Sequence, residues 1–215
     1  MGSVQKSHVA SRLGILYLVS GPSGSGKTTL CRRLAEEGEA VYARSCTTRP
    51  MRPGEQNGVD YFFLSPVDFL DKVTSGEFIE HAEVHGNHYG TLKSEVLAYL
   101  EAGRDVVMDI DVQGAALVRN CTEEIVKTSL LDLFVSPPDH AEILQRLAGR
   151  GTDSEDVIAL RMANALEEIA HAHLYSHLLE STDRESDYDH FLSLLKGARL
   201  ATRLRSDAAA PLVPS

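Results

Sequence analysis

The sequence is poor in cysteine, in long apolar runs and in positive charge, and each shortage excludes a class of protein. Its three cysteines are odd in number, far apart and without a CxxC pair, so we expect neither a disulfide framework nor a structural zinc site. No run approaches the ~20 apolar residues that span a bilayer. The net charge of −10 argues against a general nucleic-acid binder, which usually carries a broad basic face. These features favour a cytoplasmic protein that binds neither membranes nor nucleic acid.

Internal repeats and low-complexity segments are also absent between residues 13 and 205. With 215 residues, 43% of them hydrophobic, the chain can build one sizeable core with room for inserted subdomains. Residues 1–12 are polar and lack the apolar core of a signal peptide, so we expect a disordered lead-in. Residues 207–215 are small and proline-rich, which predicts a frayed tail. Nothing in the sequence indicates a homo-oligomer.

A glycine-rich segment follows the first strand candidate. Residues 15–19 form a short apolar run, typical of a strand buried on both faces. Residues 21–28 read GPSGSGKT, in which Gly-x4-Gly precedes Lys-Thr, and a helix-compatible pattern follows. In the order strand, glycine-rich turn, helix, backbone N–H groups and the helix dipole can bind a polyphosphate. The alternative is a loop that merely turns the chain.

The pattern assigns roles to these residues. Lys27 is predicted to reach the terminal phosphates, and Thr28 to place its hydroxyl on Mg²⁺. The residues predicted to bind the polyphosphate are Gly21, Pro22, Ser23, Gly24, Ser25, Gly26, Lys27, Thr28 and Thr29.

A second anion site is indicated by a run of three arginines without an acid at residues 44–52. Prolines and glycines make a helix implausible between residues 45 and 61, so we expect an irregular loop or a strand edge. Arg49 and Arg52 can each hold a phosphate in a bidentate fork. The alternative for each is a solvated surface charge.

Two carboxylates end a further apolar strand candidate at residues 105–116. Asp109 and Asp111 are two residues apart, so a strand would point both to one face, near the edge where parallel sheets bind ligands. One can organise Mg²⁺ through its waters while the other contacts the acceptor. A helix cap is the alternative for a single aspartate. Residues 129–135 form another apolar strand candidate.

Further blocks follow the glycine-rich loop in a recognisable order over about residues 13–170. They are Asp60-Tyr61, Phe78-Ile79-Glu80, Tyr89-Gly90-Thr91, residues 109–114 (DIDVQG), and Arg146-Leu147 with Arg150-Gly151-Thr152. Together they resemble the guanylate kinase family. The resemblance implies ATP:GMP phosphoryl transfer that gives ADP and GDP, with Mg²⁺, and with dGMP as a further acceptor.

The resemblance also implies an architecture, an α/β P-loop NTPase-type three-layer fold with a central parallel sheet. The expected core comprises residues 13–44, 96–137 and 174–206. A GMP-binding subdomain of residues 45–95 and a helical lid of residues 138–173 are expected as insertions.

The family's motifs imply roles for individual residues. Those implied to bind GMP are Ser45, Arg49, Arg52, Glu55, Tyr61, Glu80, Tyr89, Thr91 and Asp109. Within this set the arginines and tyrosines match the phosphate site, and Ser45, Glu80, Thr91 and Asp109 match positions near guanine. A carboxylate at residue 80 agrees with this, because guanine presents N1–H and N2–H₂ donors side by side and adenine does not.

The lid and the metal site are implied in the same way. Residues 152–155 form a capping box, so a helix carrying Arg161 is expected from about residue 153. Lys27, Arg150 and Arg161 are the expected catalytic residues. Thr28, and Asp111 through a water, are the expected metal ligands. Ser181 departs from the family, because it stands where an Asn-Asp pair usually begins near the donor base.

Two other functions remain open on the sequence. The first is a guanylate-kinase-like module that binds protein ligands without catalysis, although such modules usually have a degraded phosphate loop. The second is a kinase for another small phosphate, such as AMP, UMP or a sugar phosphate.

Overall fold

The structure is a computed structural model that describes residues 12–84, 86–139, 142–143 and 155–205, without the side chains of residues 155–158 and 161. In chain order its strands are β1 (Leu16–Ser20), β2 (Val41–Tyr42), β3 (Ser45–Thr47), β4 (Phe62–Phe63), β5 (Phe78–Val84), β6 (Asn87–Leu92), β7 (Val106–Asp109), β8 (Leu130–Ser136) and β9 (His177–Glu180). They form two sheets.

The helices of the described residues connect and cover these strands. They are α1 (Lys27–Glu36), α2 (Pro66–Thr74), α3 (Leu97–Glu101), α4 (Val112–Arg119), α5 (Glu124–Ser129), α6 (Glu155–Ala170) and α7 (Arg184–Ala198). Short 3₁₀ turns lie at Lys93–Glu95, Ala172–Leu174 and Thr202–Leu204. In the part of the chain that is described, no helix has both the length and the apolar character needed to cross a bilayer.

The central sheet has the order β2-β7-β1-β8-β9, with every neighbouring pair parallel. Its middle strand β1 is fully buried, and alternate side chains enter different cores. Tyr17 packs on one face with α1 and α7, stacking on Phe191 with ring centroids 4.6 Å apart. Leu16 and Leu18 pack on the other face with α3 and α4. Burial on both faces accounts for the apolar run and gives three layers.

The second sheet has the order β4-β3-β6-β5 and contains antiparallel pairs. A separate small core of Cys46, Phe69 and Phe78 lies against it. Every strand of this sheet comes from residues 45–92, between β2 and β7 of the central sheet. The chain therefore leaves the central sheet once to build the second one and then returns.

The predicted α/β class with a central parallel sheet is confirmed. The strand predicted at residues 129–135 is β8, and residues 45–61 form no helix. The structure differs at the paired aspartates, because β7 ends at Asp109 and Asp111 is the N-cap of α4. Its carboxylate accepts a 2.8 Å hydrogen bond from the Gly114 N–H. The two aspartates therefore do not share one strand face.

The chain termini and the lid are only partly described. Arg12, which we placed in the lead-in, forms a bidentate ion pair with buried Asp105, so order begins at least one residue earlier than expected. The rest of the predicted lead-in and the predicted tail lie outside the described residues. The same holds for Arg150 and for residues 152–154 of the capping box. The helix expected from about residue 153 is α6, which begins at Glu155 and contains Arg161.

Candidate active site

The glycine-rich loop connects β1 to α1, as its position in the sequence predicts. Gly26 is the N-cap of α1 and has a left-handed backbone with φ of 93°, a conformation that costs a residue with a Cβ atom. A Cβ at Gly21 would lie 2.2 Å from the carbonyl oxygen of Val135. Both glycines are therefore required by the fold of the loop and by its packing on β8.

Lys27 and Thr28 occupy the first turn of α1. The Lys27 Nζ lies 3.5 Å from the carbonyl oxygen of Pro22, so the ammonium group lies over its own loop. The Thr28 hydroxyl donates a hydrogen bond to the carboxylate of Asp109, the last residue of β7. Positive charge and hard oxygen atoms therefore meet at the carboxyl edge of the central sheet, where open parallel sheets bind ligands.

A cavity of about 280 Å³ joins this edge to the second sheet. The central-sheet side contributes Lys27, Thr28, Asp109 and Asp111. The other side contributes Ser45, Tyr61, Glu80 and Tyr89. Residues predicted for the polyphosphate and for the acceptor thus line one cavity.

Glu80, Thr91 and Ser45 lie side by side across three strands. Thr91 of β6 pairs with Ser45 of β3 and with Glu80 of β5, and the Ser45 Oγ lies 3.2 Å from the Thr91 Oγ1. Glu80 is 6% exposed. Burial raises its pKa to about 7, the hydrogen bond from Thr91 opposes that rise, and the charge of Asp111 adds to it. A desolvated carboxylate therefore faces the cavity.

Arg49 is held rigidly beside Tyr61. Its guanidinium donates hydrogen bonds of 2.7 and 3.1 Å to the carboxylate of Glu55, and its Cζ lies 5.6 Å from the ring centroid of Tyr61. The hydrogen bond from Arg49 lowers the pKa of Glu55, which also accepts a 2.7 Å hydrogen bond from the Arg52 N–H. Glu55 therefore holds in place the loop that carries Arg49 and Arg52, called the arginine loop below. Tyr61 and Tyr89 lie edge to face, with ring centroids 6.2 Å apart.

The cavity does not include every residue predicted for the acceptor. Arg49, Arg52, Glu55 and Thr91 lie outside its lining, and the side chain of Arg52 is exposed. Arg49 adjoins it through Tyr61. The arginine loop therefore lies at one side of the cavity and does not form its wall.

A second cavity, of about 660 Å³, lies between the glycine-rich loop and the turn that joins β9 to α7. Thr28 lines both cavities. Ser181 is part of this wall, and its hydroxyl donates a 2.8 Å hydrogen bond to Asp187. The two cavities thus meet at the glycine-rich loop and the first turn of α1, where Thr28 lines both.

Glu168 of α6 lies close enough to Lys27 for their charges to interact. Burial raises the pKa of Glu168 to about 7, and the positive charge of Lys27 opposes the rise. Arg161 lies on the same helix, but its side chain is outside the described residues. Of the three expected catalytic residues, the structure therefore places the side chain of Lys27 alone.

Among the polar side chains of the cavity lining, three were not assigned a role from the sequence, namely Arg32, Tyr42 and Asp60. Arg32 follows Thr28 by four residues on α1, and helix periodicity places such pairs on one face. Asp60 is adjacent to Tyr61. For Tyr42, no comparable signal is present in the sequence.

Known proteins resemble this chain over most of its length. A family model described as guanylate kinase matches residues 14–198. A guanylate kinase from Alkalilimnicola ehrlichii is 44% identical over 201 residues, covering 93% of this chain and 95% of the relative. One from Chromohalobacter salexigens is 44% identical over 193 residues, covering 89% and 86% respectively. A crystal structure of guanylate kinase from Anaplasma phagocytophilum is 28% identical, with a TM-score of 0.75 and 92% of each chain covered. The chain therefore belongs to the guanylate kinase family.

Proposed function

We propose that this chain transfers the γ-phosphoryl group of ATP to GMP, giving ADP and GDP. One observation carries the proposal: a single cavity has Lys27 and Thr28 at one side and Glu80 with Ser45 at the other. A donor phosphate and an acceptor nucleotide can therefore meet in this cavity. Membership of the guanylate kinase family supports the choice of both substrates.

GMP is proposed to bind with its base toward Glu80 and its phosphate toward the arginine loop. The Glu80 carboxylate can accept from guanine N1–H and N2–H₂ together, and its burial makes an unmatched base costly. Arg49, Arg52, Tyr61 and Tyr89 are proposed to hold the phosphate. Glu55 contributes by fixing Arg49. Since none of these groups needs a ribose 2′-hydroxyl, dGMP is included as an acceptor.

ATP is proposed to bind with its phosphates on the glycine-rich loop and its base in the second cavity. Backbone N–H groups at the start of α1 and the Lys27 ammonium favour the negative charge. Ser181 and Thr182 line this cavity. The hydroxyl of Ser181 is already directed to Asp187, so the phosphates provide most of the recognition of the donor.

The oxygen atoms at the sheet edge fit Mg²⁺, which prefers hard oxygen ligands and retains several waters. The Thr28 hydroxyl and the carboxylates of Asp109 and Asp111 line the same cavity. Thr28 would hold the ion directly, and Asp111 through a water. When bound with ATP, Mg²⁺ neutralises charge on the β- and γ-phosphates.

The chain's own groups position the reactants and balance charge. An oxygen of the GMP phosphate attacks the γ-phosphorus in line while the bond to the ADP oxygen breaks, so no covalent enzyme intermediate is required. Lys27 stabilises the transferring group, and Arg150 and Arg161 are proposed to assist when the lid closes. Closure excludes water, which would otherwise accept the phosphoryl group.

The division of the chain is part of this proposal, with a GMP subdomain of residues 45–95 and a lid of residues 138–173 inserted into the core. So is a cytoplasmic location, supported by free cysteines of which Cys31 and Cys46 are buried. The acidic net charge supports the absence of a nucleic-acid partner.

The test is a coupled assay of ADP release with ATP, Mg²⁺ and each common nucleoside monophosphate. We expect GMP and dGMP to be the preferred acceptors. Failure of GMP to stimulate ADP release would reject the activity and favour a binding module. A Glu80→Gln variant should lose much of the preference for GMP over AMP, and a preference kept intact would remove the argument from Glu80.

A further inference from the structure

An ion pair connects α1 to the acceptor side of the cavity. The Arg32 Nη2 lies 2.7 Å from the Asp60 Oδ1. Arg32 belongs to α1, and Asp60 lies in the loop that leads into β4. Both residues line the cavity that Lys27 and Tyr61 share. The bond therefore links the two walls between which the phosphoryl group is proposed to move.

Each partner is close in the chain to a residue of the proposed site. Arg32 lies one helical turn after Thr28, and Asp60 immediately precedes Tyr61. The second carboxylate oxygen of Asp60 accepts a 2.9 Å hydrogen bond from the Gln56 N–H, so the backbone of its loop is fixed as well. A shift of Asp60 relative to α1 would therefore move Tyr61 relative to the glycine-rich loop.

Asp60 and Arg32 carry opposite charges at neutral pH. The hydrogen bond from Arg32 lowers the pKa of Asp60, so the carboxylate is ionised at neutral pH. Tyr42, which is half-buried, lines the same cavity as this pair. The pair thus belongs to a set of polar side chains that line one cavity.

The exposure of the two side chains favours a positioning role over a role in global stability. The Arg32 side chain is 49% exposed and that of Asp60 is 19% exposed, and ion pairs this accessible contribute little to global stability. A displacement of about 1 Å between reacting groups, in contrast, lowers a rate by up to ~100-fold. Loss of the pair should consequently affect the reaction much more than the fold.

We propose that Arg32 and Asp60 are a positioning pair, which fixes Tyr61 and the acceptor phosphate relative to the glycine-rich loop. The inference rests on the proposed function. Neither side chain has to touch a substrate, because each acts through its neighbour. Their removal should weaken the use of GMP more than the use of ATP.

The experiment compares the full-length wild type with Asp60→Asn, Arg32→Gln, the double variant and Arg32→Lys. We expect each neutral variant to raise the KM for GMP and to lower kcat/KM for GMP by about 10-fold. The double variant should be no worse than the poorer single variant, since the two residues act as one unit. Arg32→Lys keeps the charge and should stay within about 3-fold of wild type.

The matched control is Lys72→Gln, which breaks the Lys72–Glu77 surface ion pair of 2.9 Å in the same part of the chain. Neither residue lines a described cavity, so its kinetics should match wild type. If the substitutions only reduced the fraction of folded, active enzyme, kcat would fall while the KM values for GMP and for ATP stayed unchanged. That result in both Asp60→Asn and Arg32→Gln would overturn the inference. So would kinetics within 2-fold of wild type, or losses that multiply in the double variant. A wild type inactive on GMP would instead refute the proposed function.

Discussion

Thr28 and Asp109 lie 81 positions apart in the chain, and the hydroxyl of Thr28 donates a hydrogen bond to the carboxylate of Asp109. The bond joins the first turn of α1 to the last residue of β7. It brings together one proposed metal ligand and one proposed acceptor contact. The distance between the loop and the acceptor cavity is therefore fixed in part by residues that are also proposed to bind the metal and the acceptor.

Replacing Thr28 with Val should remove the hydroxyl while keeping the shape of the side chain. We expect kcat to fall by at least about 10-fold and the Mg²⁺ concentration for half-maximal activity to rise, because one hard oxygen ligand is lost. A Mg²⁺ titration of the coupled assay measures both. Thr74→Val is the control, since Thr74 lies at the exposed end of α2 and bonds to the Leu70 carbonyl oxygen. An unchanged Mg²⁺ requirement in Thr28→Val would contradict the ligand assignment.

Lys27→Ala should lower kcat by about 100- to 1,000-fold, the range typical for loss of one group that stabilises transition-state charge. The fold should be retained, because the described contact of the Lys27 Nζ is a weak one of 3.5 Å to its own loop. Turnover and thermal melting measure the two effects. Lys72→Ala, a surface change on α2, should leave turnover unchanged. Wild-type turnover in Lys27→Ala would reject the proposed mechanism.

Local patterns predicted the parts of the fold that depend on neighbouring residues. The apolar run at β1 and the glycine spacing after it determine strand, turn and helix start within 14 residues. Asp111 shows the limit of such patterns, because a carboxylate two residues after Asp109 suits both a strand face and a helix cap. The cap prevails here, since Gly114 N–H is available three residues later.

Contacts between distant segments could not be predicted in this way. The proposed roles of Ser45 and Glu80 came from a family resemblance, and spacing alone gives no reason to place them near Lys27. The bonds from Arg32 to Asp60 and from Arg12 to Asp105 depend on how the sheets pack. Nothing local to Glu55 indicates that it bonds to Arg49 and stays outside the cavity lining.

Asp105 should be essential for stability and dispensable for chemistry. Its carboxylate, 1% exposed, accepts from Arg12, Arg199 and the Ile15 N–H. It lies just before β7, at the opposite end of that strand from Asp109. Asp105→Ala would leave two guanidinium groups without their common partner, which costs about 3–5 kcal/mol. Urea unfolding measures the loss, and kcat at a temperature where the variant is folded should match wild type.

The control for Asp105 is Glu101→Ala, an exposed carboxylate at the end of α3. Its free energy of unfolding should stay within about 0.5 kcal/mol of wild type. A loss below about 1 kcal/mol in Asp105→Ala would show that the two arginines find other partners.

Glu80 should make the protein less stable as pH rises. Its pKa is raised from 4.5 to about 7 by burial in the folded state, so the folded state binds more protons than the unfolded state between these values. Stability contributed by this group is therefore complete below about pH 4.5 and falls until about pH 7. The pKa shift corresponds to a decrease of about 3 kcal/mol in the free energy of unfolding once Glu80 is ionised. Glu80→Gln cannot ionise, so it should be more stable than wild type at pH 8 and close to wild type at pH 5.

Urea unfolding at both pH values measures this difference, with Glu83→Gln as the control on an exposed position of the same strand. The control should give the same difference from wild type at pH 5 and pH 8. If Glu80→Gln also differed from wild type in free energy of unfolding by the same amount at pH 5 and at pH 8, Glu80 would not be desolvated in solution. The gain at pH 8 should be accompanied by weaker GMP binding, because the guanine donors need the ionised carboxylate that the fold disfavours. Calorimetric GMP titration of both proteins tests that link, and tighter GMP binding by Glu80→Gln at pH 8 would contradict it.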